Sequence, residues 1–220
     1  MEQSQQTERS LVISYMTLRR AIGFLGVALP FAVSIGALLI FHTGIQGSIS
    51  GYYYTGTRDV LVGILWAIGF FLLSYKGYGA VDNIAGDLGC TFALGVSLFP
   101  TAPEVNPSAA ARLIGNFHFA FAALFFLTLI FFSLYLFTKT DKPVMSARKV
   151  QRNRVYRVCG YVMLTSLLLI ALDHFLPAAV TAPLQPLDPI FWLETLAIVA
   201  FGVSWLTKGE AILRDEVGQG

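Results

Sequence analysis

A chain of 220 residues in which 55% are hydrophobic and only 13% are charged is too apolar to be an ordinary water-soluble domain. Its mean hydropathy is +0.66. The net charge of +2 is small and the basic residues gather in connections and tails, which gives a nucleic-acid partner no support. A bilayer core is about 30 Å thick and takes about 20 apolar residues to cross as a helix, a length this sequence supplies repeatedly.

In chain order, a polar decapeptide precedes the first apolar run, which is too long and too late for a cleaved signal and is expected to be retained. Membrane-spanning helices are predicted at about 21–41, 59–75, 80–99, 113–138, 157–176 and 189–207. The third is the most polar, because it carries Asp82, Asn83 and Asp87. Lys76-Gly77-Tyr78-Gly79 is short enough to turn the second helix back on the third, and prolines at 103, 107, 177, 183, 186 and 189 mark other connections. Backbone amides in lipid find no water, so these runs are helices, and the expected class is all-α: one polytopic membrane helix bundle with six transmembrane helices.

Six spans sort the 15 Lys and Arg residues sharply. All but Arg58 and Arg112 fall on one side, which places both termini and the basic loop 139–157 in the cytoplasm. That loop is a topology signal, and it also suits anionic lipid headgroups. Cys90 and Cys159 fall at different depths and read as buried thiols, not as a disulfide.

Ionisable residues inside spans are costly and mark the bundle interior or water. His118, Asp173, His174 and Glu194 share one outer layer, within reach of Arg58, Asp59 and His42. Two imidazoles and a carboxylate, His118, His174 and Glu194, are a ligand set that zinc accepts; the alternative is that the histidines hydrogen-bond between helices and that Asp173 pairs with Arg58. Glu194, Ala197, Phe201, Ser204 and Lys208 recur at spacings of 3, 4, 3 and 4, so this stripe should face protein. In the third span Asn83, Asp87 and Thr91 form a polar face, with Asp87 the deepest carboxylate and a candidate proton site or a partner for a neighbouring helix. The outer loop from Gly47 to Asp59 holds small hydroxyls, three adjacent tyrosines and an Arg-Asp pair, and such a loop can fold back as a lid.

Within that loop, Ser48-Ile49-Ser50-x-Tyr52-Tyr53-Tyr54-Thr55-x-x-Arg58-Asp59, followed by Tyr75-Lys76-Gly77-Tyr78 and Leu98-Phe99-Pro100-Thr101, resembles a group of bacterial polytopic membrane proteins of uncharacterised activity. The ending Ser204-Trp205-Leu206-x-Lys208-Gly209 fits as well. The resemblance implies a six-span bundle in a bacterial inner membrane and carries no activity or cofactor. The ceramidase and adiponectin-receptor hydrolases share residue types only, since the chain lacks their paired C-terminal histidines. The expected function is therefore an outward-facing polar pocket for a small molecule or lipid headgroup, in its enzyme form a metal-dependent hydrolase. A proton-coupled transporter and an accessory protein acting through a partner are the alternatives, and a homo-oligomer is compatible with each.

Overall fold

The computed structural model of the chain describes residues 2–77, 79–103, 105–140 and 143–214, with backbone alone for 2–14 and 178. Tyr78, Lys142 and Gly220 lie outside the described residues. Seven α-helices and no strand are found among them: α1 Glu2–Ile40, α2 Arg58–Leu73, α3 Ala80–Leu98, α4 Ala109–Phe131, α5 Ala147–Phe175, α6 Ala178–Thr181 and α7 Pro189–Lys208. Each of the six expected segments coincides with a helix, and four of the helices are long and apolar enough to cross a membrane: Tyr15–Ile40 of α1, Ala109–Leu136, α5 and α7.

Two helices begin earlier than hydropathy indicates. α1 runs back to Glu2 because neither glycine nor proline interrupts the chain before Gly23. At its interior Pro30, the Ser34 hydroxyl donates to the Pro30 carbonyl at 2.6 Å. α5 takes in the second half of the basic loop 139–157, with Ser146 as N-cap accepting the Lys149 N–H at 3.2 Å. Those basic residues are helical first turns that hydropathy alone leaves as loop.

Six helices close a ring in chain order, α1–α2–α3–α4–α5–α7 and back to α1, and the α-helical part of α4, Ala109–Phe131, touches α5 only lightly. The α1–α7 contact is the closest. A Cβ added at Gly202 would lie 2.6 Å from the Val27 nitrogen and 2.7 Å from the Gly23 carbonyl oxygen. Only glycine lets the two backbones approach so far.

One end of the ring is basic. Trp205, fully buried, packs against Tyr75, Phe132 and Phe137 with ring centroids 5.2, 5.4 and 5.0 Å away. Phe132 and Phe137 both point inward because α4 ends in a π-helical turn, Phe132–Leu136, which also sets Ser133 Oγ 2.8 Å from Ser204 Oγ of α7. Around this aromatic block, Lys139 reaches the buried Asp82 at 3.8 Å, Arg20 donates to the Gly209 carbonyl at 2.7 Å, and Lys149 donates to the Phe137 carbonyl at 2.7 Å. Cations thus receive the carbonyls of helix C-termini, where the helix dipole favours them.

The opposite end carries the connections 41–57, 99–108 and 176–188. The tight α1–α7 crossing predicts an asymmetric response to added bulk. Gly202→Val should lower stability by about 1–3 kcal/mol, the usual cost of overpacking. Gly63→Val in α2, where nothing lies within 4 Å, should change it little. Thermal unfolding of both variants in one detergent, followed by tryptophan fluorescence, checks the pair.

Candidate functional site

The α1–α2 connection does not lie over the end of the bundle as a free loop. Residues Ser50–Tyr54 form a 3-10 turn inserted between the helices, and Tyr52 is fully buried against Phe191 of α7, ring centroids 6.3 Å apart. Burial raises the Tyr52 phenol above its ordinary value, opposed by the Gln46 N–H and reinforced by Asp188, so the ring stays neutral. Thr57 donates to the Val33 carbonyl of α1 at 3.2 Å, Tyr54 to the Thr101 carbonyl at 2.5 Å, and the Phe191 N–H to the Gly47 carbonyl at 3.0 Å.

Glu194 is the centre of this arrangement. Its Oε2 accepts the Ile49 N–H at 2.6 Å and the Ser50 N–H at 3.3 Å. Ser50 Oγ lies 3.4 Å from Glu194 Oε1 and 3.0 Å from His118 Nε2, while His118 Nδ1 is 2.7 Å from the Phe99 carbonyl oxygen. A carbonyl can only accept, so Nδ1 carries a proton and the neutral ring offers Nε2 as acceptor to the Ser50 hydroxyl. That hydroxyl has one proton, which satisfies the shorter contact and leaves Oε1 of Glu194 with spare acceptor capacity. Four elements, the inserted turn, the α3–α4 connection, α4 and α7, are joined by this line of groups.

His118 and Glu194 also line a cavity of about 860 Å³ at the loop end of the α4–α5 seam. Small side chains make the room: Ala120, Ala122 and Ala123 on α4, Ala171 on α5. Polar groups stand at its outer end, with Glu194 joined by Gln46, Ser48, Asp173 and His174, while Leu167, Ile170 and Phe126 line its depth. A second, mostly apolar space of about 60 Å³ shares His118 and Glu194 with it and is also lined by Ser50.

Of the residues expected to share a pocket, His118, Asp173, His174 and Glu194 do so. Arg58 and Asp59 do not. They pair with each other at 3.3 Å, their side chains 55% and 90% exposed, and Arg58 lies over the Tyr53 ring, away from Asp173 and Glu194. The rotation of α2 sets this, because its buried face is Leu61, Leu65, Ile68 and Leu72, which leaves Arg58 and Asp59 exposed. His42 is exposed at the end of α1 and lies outside the cavity. Asp87 and Thr91 are exposed too, with Thr91 Oγ1 donating to the Asp87 carbonyl at 2.9 Å. Gly86, Gly89 and Ala93 turn the other face of α3 inward against α2, so its buried carboxylate is Asp82 and not Asp87.

The zinc set does not assemble. Among the described residues no three His, Cys, Asp or Glu side chains come close enough to hold a metal. Both His118 nitrogens are engaged, and the His174 ring packs against Phe119 and Phe175, centroids 5.2 and 5.3 Å away. The stripe of α7 does face inward, with Ala197, Phe201 and Ser204 buried. Ser50 is the functional-site residue that spacing alone misses, since one hydroxyl in a polar loop gives no periodic signal and its partners lie 68 and 144 residues away.

The bonds at Glu194 predict its effect on the loop. Glu194→Ala leaves two backbone donors unmet and should cost about 1–3 kcal/mol. Amide exchange over 47–54 should then accelerate at least tenfold. Arg58→Gln removes only an exposed ion pair and should change stability by less than about 1 kcal/mol, with exchange in the same segment unaltered. Exchange mass spectrometry on both variants checks this, and unchanged protection in Glu194→Ala would break the assignment. No protein family, curated protein or solved structure matches the chain.

Proposed function

We propose that this is a multi-pass integral membrane protein whose cavity beside Glu194 binds an amphipathic small molecule or lipid, headgroup outward and chain along the α4–α5 seam. The observation that carries the reading is the polarity gradient of one cavity of about 860 Å³, polar at the loop end and apolar between the helices. Its volume is within the common range for ligand sites, about 300–1,000 Å³. A lipid tail needs an opening in the wall of a bundle, and this cavity lies where Ala109–Phe131 of α4 touches α5 only lightly.

Six crossings are part of the same proposal. α2 and α3 run between the same two ends as the long helices: the connection before α2 meets the connection after α3 through Tyr54 and Thr101, and the turn between them meets α4 and α1 through Asp82–Lys139 and Tyr75–Tyr15. The bias of Lys and Arg supports a cytoplasmic basic end, with both termini there and the cavity facing outward. The motif resemblance supports a bacterial inner membrane as the location.

Two outcomes follow. Val105 and Val144 are both 79% exposed and lie at opposite ends, whereas Cys90 and Cys159 are buried. In intact spheroplasts, an impermeant maleimide should label Val105→Cys, and should reach Val144→Cys only after permeabilisation. Equal labelling of both from outside would remove the six-crossing arrangement. For the cavity, native mass spectrometry of protein extracted in a neutral detergent should show a retained amphiphile, reduced at least tenfold in Ala123→Trp, which fills the space between α4 and α5. Retention unchanged by that substitution would place the amphiphile elsewhere.

A further inference from the structure

The cavity lining carries chemical as well as geometric information. Resting on the amphiphile reading above, we infer that the occupant is a cation: an alkylammonium amphiphile whose nitrogen sits at Glu194 and Asp173 and whose chain lies between α4 and α5. The ionisable side chains that line the space among the described residues are Glu194 on α7, Asp173 and His174 on α5, and His118 on α4, with neither Lys nor Arg beside them. The cations at this end of the bundle stand outside the lining: Arg58 is on Asp59, and Arg112 is exposed on the first turn of α4. Among the described residues, neither Glu194 nor Asp173 has an ion-pair partner.

A carboxylate placed in a low-dielectric bundle without a counter-charge is costly, so a bound cation completes the electrostatics that the protein leaves open. Glu194 is prepared for it. Two backbone donors fix its Oε2, while Oε1 keeps only the 3.4 Å approach of Ser50. Rings supply the remainder of an ammonium site, because Tyr54 and Phe119 line the same space toward its outer end and a ring face attracts a cation within about 6 Å. An anionic headgroup meets the opposite conditions. It would face two acids, and His118 has no nitrogen free to donate to it, since one is held by the Phe99 carbonyl and the other accepts from Ser50.

Three amphiphiles of one chain length test this on the full-length protein in a neutral maltoside detergent at pH 7: dodecylammonium, dodecanol and dodecanoate, each titrated by thermal shift. Dodecylammonium should stabilise the protein at concentrations at least tenfold lower than the other two. Asp173→Asn should weaken that response about tenfold, and Ala123→Trp should abolish it. Asp173→Asn serves as the main variant because, unlike Glu194, Asp173 takes no part in holding the 49–50 backbone. If dodecanoate or dodecanol binds as well as the ammonium and Ala123→Trp blocks it, the cation assignment is overturned while the cavity reading stands. A response to all three that Ala123→Trp leaves untouched, or no response to any, overturns both.

Discussion

A polar loop can enter an apolar bundle only if its backbone donors find acceptors there, and the carboxylate of Glu194 meets that condition for the α1–α2 connection. Ile49 and Ser50 donate their N–H groups to one of its oxygens, the Ser50 hydroxyl is hydrogen-bonded to His118, and His118 is fixed in turn by the Phe99 carbonyl. Remove the acceptor and the inserted turn has buried donors with no partner, which is the arrangement proteins avoid most consistently. The turn in turn seats Tyr52 against α7 and supplies Ser48 and Gly51 to the cavity wall. The outer boundary of the cavity is therefore a consequence of this one side chain.

The two ends of the bundle solve different problems. At the basic end, large aromatics around Trp205 fill the volume and cations close the helix C-termini, so packing is dense. Toward the loop end, α4 and α5 face each other with alanines, and their separation is not filled. Small residues thus have opposite effects at two places. Gly23 and Gly202 bring α1 and α7 into backbone contact, whereas Ala120, Ala123 and Ala171 leave an opening between α4 and α5.

Much of the helical architecture is legible in the sequence, since a long apolar run has no other way to satisfy its amides in lipid. The 3-4 spacing on α7 correctly marks the face from Ala197 to Ser204 as inward. Where the reading fails, it fails for definable reasons. Asp87 with Asn83 and Thr91 makes a polar stripe, but glycines on the other side of α3 let that face pack more closely, so the stripe turns outward and Asp82 takes the buried place. Depth alone puts Arg58 within reach of Asp59, Asp173 and Glu194, and it does pair with one of them; which one is decided by the rotation of α2, which depth does not give and which leaves Arg58 beside Asp59. The Ser50–His118–Glu194 line is invisible in one dimension, because it joins a loop to two helices through contacts with no fixed spacing.

α2 and α3, neighbours in the ring, have 16 and 19 residues, while α1 and α5 have 39 and 29. At about 1.5 Å per residue the short pair reaches about 24 and 28 Å, less than the roughly 30 Å of a typical hydrocarbon layer. For a ring that crosses the bilayer, one flank is thus hydrophobically mismatched and the rest is not. In the six-crossing arrangement proposed above, the lipid beside α2 would thin, or the whole ring would lean toward that flank, at a cost of a fraction of a kcal/mol per ångström. In that arrangement Arg58 and Asp59 at one end of α2 and Lys76 at the other would meet headgroups at the shortened spacing. The protein would then deform its own annulus unevenly, drawing short-chain lipids to the α2–α3 side and leaving longer ones along the α4–α5 seam.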